Sequence, residues 1–248
     1  MSETEDDLQV LVETIIEAPV DAVWRALRER EQLRNWFGWD AETLADEIDF
    51  IFFGHAKADE AGHVLQFGEW EGVSDAFELT GDANETTVAV VRRGPPVDWA
   101  GAFEDVPEGW VTFVQQLRLL LDRHPGAKRR TLYLSGAARA GVAEPRQALG
   151  IIDLIRRPDG AEYSASLPTG ETISGIVWHR THFQLGLNVT EWGDGLLVVT
   201  NTGVTDTRSS AGGSVLLTTF GLDDATFGEL ASRWRAWWEK RYEAPQAE

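Results

Sequence analysis

The chain has 248 residues, 43% of them apolar and 25% charged, the balance of a globular protein with a sizeable core in one large domain or two small ones. A formal net charge of −19 argues against a grip on nucleic acid or on anionic lipid, since both need clustered Lys and Arg. Cysteine is absent, which excludes disulfides, a thiol nucleophile and a Cys-based zinc site. The opening Met1-Ser2-Glu3-Thr4-Glu5-Asp6-Asp7 is acidic, with no apolar h-region, and no run approaches a membrane span, so a reducing cytoplasm is expected. Nineteen arginines against three lysines read as codon bias of a GC-rich bacterium.

Leu8, Val10, Val12, Thr14 and Ile16 alternate with their neighbours and predict a strand with one buried face over Leu8–Glu17. Ala18-Pro19 ends it, because Pro has no amide hydrogen for the ladder, and the same Pro suits a helix start. Val20, Val23, Trp24 and Leu27 then mark one stripe of a short helix, and Leu33, Trp36 and Phe37 a second that stops at Gly38. Strand-like segments follow at Leu44–Gly54, Val64–Glu71, Val73–Thr80 and Thr86–Arg93. The turn residues between them favour an antiparallel meander over parallel units. Gly94-Pro95-Pro96 closes this sheet and Trp99–Pro107 is read as an irregular connection. Trp110, Phe113, Val114, Leu117, Leu120 and Leu121 place the apolar face of a long helix that ends before His124-Pro125-Gly126.

The second half repeats the plan in abbreviated form. Thr131–Gly136 reads as its first strand and Glu144–Leu149 as a short helix with Pro145 near its start. Tyr163–Leu167 and Thr172–Val177 flank a turn at Pro168-Thr169-Gly170. A further hairpin runs from Thr181–Trp192 through Gly193-Asp194-Gly195 into Leu196–Asn201. A polar loop over Thr205–Gly213 leads to a last strand, Ser214–Phe220. Asp223 or Asp224 can cap the final helix, where Phe227, Leu230, Ala231, Trp234, Trp237 and Trp238 recur at helical spacing. Each half thus ends on an aromatic-faced helix, and a boundary near Gly126–Arg130 divides the chain into domains 1–128 and 129–248.

The run Val12-Glu13-Thr14-Ile15-Ile16-Glu17-Ala18-Pro19-Val20-Asp21-Ala22-Val23-Trp24-Arg25-Ala26-Leu27 resembles the opening of START/Bet v-like helix-grip proteins. More narrowly, it is similar to their Hsp90-ATPase-activator-homology branch, which Leu33-Arg34-Asn35-Trp36-Phe37 and Glu108-Gly109-Trp110-Val111-Thr112-Phe113 also fit. The resemblance covers residues 8–124; residues 131–248 rest on pattern alone. It implies an α+β fold of two tandem helix-grip domains, each a curved antiparallel sheet wrapped around a long C-terminal helix with a cavity between. It also implies a hydrophobic guest such as a lipid, hormone or polyketide, and for some members cyclase or aromatase activity. Tandem members are associated with antibiotic clusters, enediyne ones included. Hsp90 contact does not follow from the branch name.

Aromatic residues are the clearest compositional signal, with 11 Trp and 11 Phe against 3 Tyr. Burying one large ring is worth roughly 4–6 kcal/mol, so these rings serve either as plain core or as walls that stack on an extended or polycyclic guest. His179 and His182 are three apart on a predicted strand and point to opposite faces, which argues against a shared metal. His179 is expected to share a face with Val177, Phe183 and Leu185, where it is a satisfied core histidine, a hydrogen-bonding group or an acid/base. Glu69, Glu71 and Glu78 lie on predicted strands that Arg92 can face; they are either candidate bases or an outer solvated face. No nucleophile elbow, phosphate loop or dinucleotide fingerprint is present, so no cofactor or metal is expected.

The leading expectation is a binding protein that sequesters or presents a hydrophobic small molecule, a polyene or polyketide-type intermediate or natural product. Its ligand contacts are expected at Trp110, Phe113, Leu117, His179, Phe183, Phe227, Trp234 and Trp238. A cyclase or aromatase using His179 or Glu69 is the first alternative, and a protein-interaction module with an exposed aromatic patch the second. Oligomeric state is left open.

Overall fold

The computed structural model describes residues 8–70, 72–94, 105–204 and 210–244. Glu71, Pro95, Pro96, most of the Trp99–Pro107 connection and most of the Thr205–Gly213 loop lie outside them, and the end of that connection, from Asp105, is helical rather than irregular. The class is α+β, with two antiparallel sheets in two compact units, the first running to Ala127 and the second beginning at Lys128. Among the described residues, no helix is long and apolar enough to cross a membrane.

In the first unit β1 (Leu8–Ile16) is followed by helices α1 (Val20–Arg28), α2 (Arg30–Leu33) and α3 (Leu44–Ile48). A π-helical turn, Asp49–Gly54, continues α3. Then come β2 (Ala56–Asp59), β3 (Val64–Phe67), β4 (Ser74–Gly81), β5 (Thr86–Arg93) and the long α4 (Asp105–Arg123). The sheet order is β1-β5-β4-β3-β2, so the first strand pairs with the last and β1 and β2 form the edges. The β4–β5 hairpin is set by Asp82, whose carboxylate accepts the backbone N–H groups of Asn84 and Glu85. Those two bonds hold the Asp82 carboxyl below the usual carboxylate range.

Two expectations are corrected here. Leu44–Gly54 is helical rather than a strand: Leu44, Ile48 and Phe52 are the buried residues of the segment and recur every four, which is a helix period. In β1 the pairing with β5 slips between Val10 and Val12, a β-bulge at Leu11. The extra residue reverses the alternation, so Leu11, Val12 and Ile16 are buried while Leu8 and Val10 are exposed. The short edge strand β2, Ala-Lys-Ala-Asp, has no large or buried apolar side chain to announce it.

The second unit holds β6 (Arg129–Ala138), α5 (Pro145–Ala148), β7 (Glu162–Ser166), β8 (Thr172–Arg180), β9 (Gln184–Val189), β10 (Gly195–Thr202), β11 (Gly212–Phe220), α6 (Asp224–Glu239) and β12 (Tyr242–Glu243). Among the described residues its order is β12-β6-β11-β10-β9-β8-β7, seven strands against five, so its sheet is not abbreviated, whereas the helical connection after its first strand is. The β9–β10 connection carries left-handed backbone at Gly193 (φ 69°) and Asp194 (φ 57°), conformations that suit Gly and Asp in a tight turn. Asp223 caps α6 by accepting the Thr226 N–H at 2.7 Å. Leu230, Trp234, Trp237 and Trp238 of α6 join Leu187, Leu197 and Leu217 of the sheet in one buried cluster.

Candidate functional site

Side chains on the β4–β5 hairpin alternate so that Asp75, Phe77 and Leu79 share a face with Arg92, Val90 and Val88, their cross-strand partners. An apolar face therefore ends on an acid and a base. Arg92 donates from Nε to Oδ1 of Asp75 at 2.7 Å and from Nη2 to Oδ2 at 2.8 Å, a bidentate pair. Trp110, in the N-terminal half of α4, donates its Nε1–H to Oδ2 of the same carboxylate at 2.8 Å. All three residues are buried, and Asp75 gathers three donors from two elements.

A cavity of about 570 Å³ opens beside this cluster. Ile51, Phe67, Val73, Val106, Pro107 and Trp110 supply its apolar walls, and among the described residues Asp75 and Arg92 are its ionisable lining. Trp70 and Val106 line it too while 73% and 58% exposed, which places them at its mouth. The Trp110 ring stacks on Phe67, with centroids 5.2 Å apart, and meets Phe77 edge-on at 5.3 Å. The aromatic wall is thus fixed on both sides before any guest arrives. An apolar slot of this volume with a few convergent polar groups suits a small organic molecule.

The structure distributes the expected site residues over several settings. Trp110 lines the cavity, and Phe113 lies beside it against Phe37 at 4.9 Å. Leu117 is fully buried further along α4. In the second unit Trp234 is fully buried and donates its Nε1–H to Glu171 at 2.6 Å, and Trp238 stacks on Tyr242 at 4.1 Å. Phe227 is half-buried under the Arg130 guanidinium, 4.2 Å from its ring centroid. Phe183 sits in the β8–β9 turn rather than in a strand, edge-on to His182.

His179 is buried, but not on the expected face. β8 bulges between Val177 and His179, so Val177 pairs with Leu187 while His179 pairs with Gly186. The imidazole therefore lies opposite the face of Val177 and Leu185, with Nε2 3.4 Å from Oε1 of Gln184. It covers Gly186 so closely that a Cβ there would overlap the ring. His182 is exposed, so the two histidines do not converge. Among the described residues no group of three or more His, Asp or Glu could hold a metal ion.

Glu69 falls beyond the end of β3 and is exposed, and Glu78 is half-buried and faces Arg93 at 4.0 Å. Among the described residues Arg92 pairs with Asp75, a carboxylate that the sequence pattern alone did not single out. Its signal was present: Asp75 continues the Phe77–Leu79 alternation, as Arg92 continues Val88–Val90.

No protein-family model matches the sequence, and no curated protein matches it. Among solved structures, the chain is similar to DynU16 of the dynemicin biosynthetic locus, at 18% identity over 94% of this chain and 95% of that one, with a TM-score of 0.30. It is also similar to the di-domain ARO/CYC StfQ of the steffimycin pathway, at 11% identity over 90% of each chain, TM-score 0.35. The di-domain ARO/CYC BexL of the BE-7585A pathway matches at 11% identity over 96% of this chain and 99% of that one, TM-score 0.32. With TM-scores below 0.5, these likenesses assign neither fold nor ligand to the present chain.

Proposed function

We propose that the chain binds a hydrophobic small molecule, a polyene or polyketide-type compound in class, and sequesters or presents it. The observation that carries this reading is the cavity of about 570 Å³, walled by Phe67, Trp110 and aliphatic side chains and closed on one side by the Asp75–Arg92 pair. Burial of guest surface supplies affinity there, and the polar cluster fixes orientation. The helix-grip resemblance of residues 12–27 supports the same reading, with domains 1–128 and 129–248 as tandem members of that fold. Binding is preferred over cyclase or aromatase chemistry because, among the described residues, the ionisable groups lining the cavity, Asp75 and Arg92, are engaged with each other. Acid/base catalysis works best with a group poised to titrate beside the guest.

Fluorescence titration with a panel of polyenes and polycyclic aromatic ketones tests the proposal. Saturable quenching of tryptophan emission is expected, and Trp110→Phe should diminish it. A panel without any saturable response ends the reading.

A further inference from the structure

Resting on the cavity as the binding site, we infer that Trp70 closes its mouth over the guest and thereby sets a preference for long, flat molecules over short ones. Trp70 lines the cavity and is 73% exposed, the most exposed large apolar side chain among the described residues. Phe67 and Trp110 of the same lining are buried and already stacked on one another. The backbone under Trp70 is pinned. Trp70 donates its N–H to the Val73 carbonyl at 2.8 Å and accepts the Val73 N–H at 3.0 Å, which closes the turn around Gly72. Gly72 takes left-handed backbone (φ 81°), and its carbonyl lies so near Gly94 that a Cβ on Gly94 would overlap it, which seats the turn just past the end of β5. Rotation about the side-chain bonds of Trp70 is the motion left to the ring, and exposed side chains change rotamer quickly. A short guest held against Phe67 and Trp110 leaves the Trp70 indole in water. A longer flat guest presents its outer end at the mouth, and the indole that turns onto it removes apolar surface of both from water. Burial of a whole tryptophan covers about 150–250 Å², so screening about half of what Trp70 exposes, at about 25 cal/mol per Å², corresponds to about tenfold in affinity or more.

The test titrates the full chain with the methyl ketones of naphthalene, anthracene and tetracene, a series that lengthens by one fused ring at a time. Trp70→Ala should weaken the tetracenyl ketone at least about tenfold and the naphthyl ketone less than about twofold, with the anthryl ketone between them. Trp70→Phe keeps a flat ring and should recover most of the loss. In chain labelled with fluorotryptophan, the fluorine resonance that vanishes in Trp70→Phe belongs to Trp70. Its shift between H₂O and D₂O should be present in the free protein, persist with the naphthyl ketone and disappear when the tetracenyl ketone saturates the site. Circular dichroism establishes that the variants are folded; if Trp70→Ala is not, Trp70→Phe and the fluorine readout decide. An equal loss for all three ketones, no loss for any, or a Trp70 resonance whose solvent shift is absent from the free protein or survives saturation overturns the closing role and leaves the cavity as a site. Failure of wild type to bind any of the three overturns the site itself, and the closing role with it.

Discussion

The group formed by Asp75, Arg92 and Trp110 makes a quantitative prediction about the first unit. Breaking a buried ion pair by truncating one member costs about 3–5 kcal/mol, because the other charge stays in a low-dielectric setting without compensation. With side-chain exposures of 9% and 7%, Asp75 and Arg92 fall in that regime rather than among surface pairs worth about 0–1 kcal/mol. Asp75→Ala should lie at the upper end, near 5 kcal/mol, because it also strips the acceptor from the Trp110 N–H. Arg92→Ala should lie nearer about 3 kcal/mol, since the stranded carboxylate keeps the indole donor. Removing both charges leaves no unpaired charge, only the Trp110 N–H without its acceptor, so the double variant should cost less than the sum of the singles by about 2 kcal/mol. Urea denaturation at neutral pH with linear extrapolation reads all four corners of the cycle. Single losses under about 1 kcal/mol, or strict additivity, would refute a desolvated pair at this site.

Three further outcomes are expected. Gly186→Ala should destabilise by about 1–3 kcal/mol, because the new Cβ meets the His179 ring, and His179→Ala in the same chain should relieve most of that loss in thermal melts. Trp234→Phe removes the Nε1 donor to Glu171 while keeping a large ring, and should cost about 1.5–3 kcal/mol in denaturant titrations. Tyr242 donates its hydroxyl to the Ala143 carbonyl at 2.8 Å, and burial pushes its pKa up to about 12 from 10.0. A raised folded-state value means that this contribution is whole below pH 10 and is lost as pH climbs to about 12. Tyr242→Phe should therefore flatten the stability profile across that window in alkaline unfolding, and an unchanged slope would contradict the assignment.

Much of the secondary structure was legible because it follows local periodicity. The stripe of Val23, Trp24 and Leu27 marked α1, the run from Trp110 to Leu120 marked α4, and Trp234, Trp237 and Trp238 marked α6. Turn chemistry at Asp82, at Gly193-Asp194 and at the Asp223 cap was equally local. Leu44–Gly54 misled because Ile48, Phe50 and Phe52 also alternate at period two, so a short apolar run satisfies both templates.

What the sequence by itself determined is where the chain turns, which segments carry an apolar face, and how many aromatic rings are available to stack. These follow from side-chain directions that repeat within a few residues. Tertiary structure decided which faces meet. The bulge at Leu11 sent Leu8 and Val10 outward, and the bulge before His179 turned its imidazole away from Val177. Pairing across the β4–β5 hairpin joined Asp75 to Arg92, and docking of α4 brought Trp110 onto that pair. Each of these depends on strand register and helix placement, which are fixed by pairing and packing between segments separated along the chain.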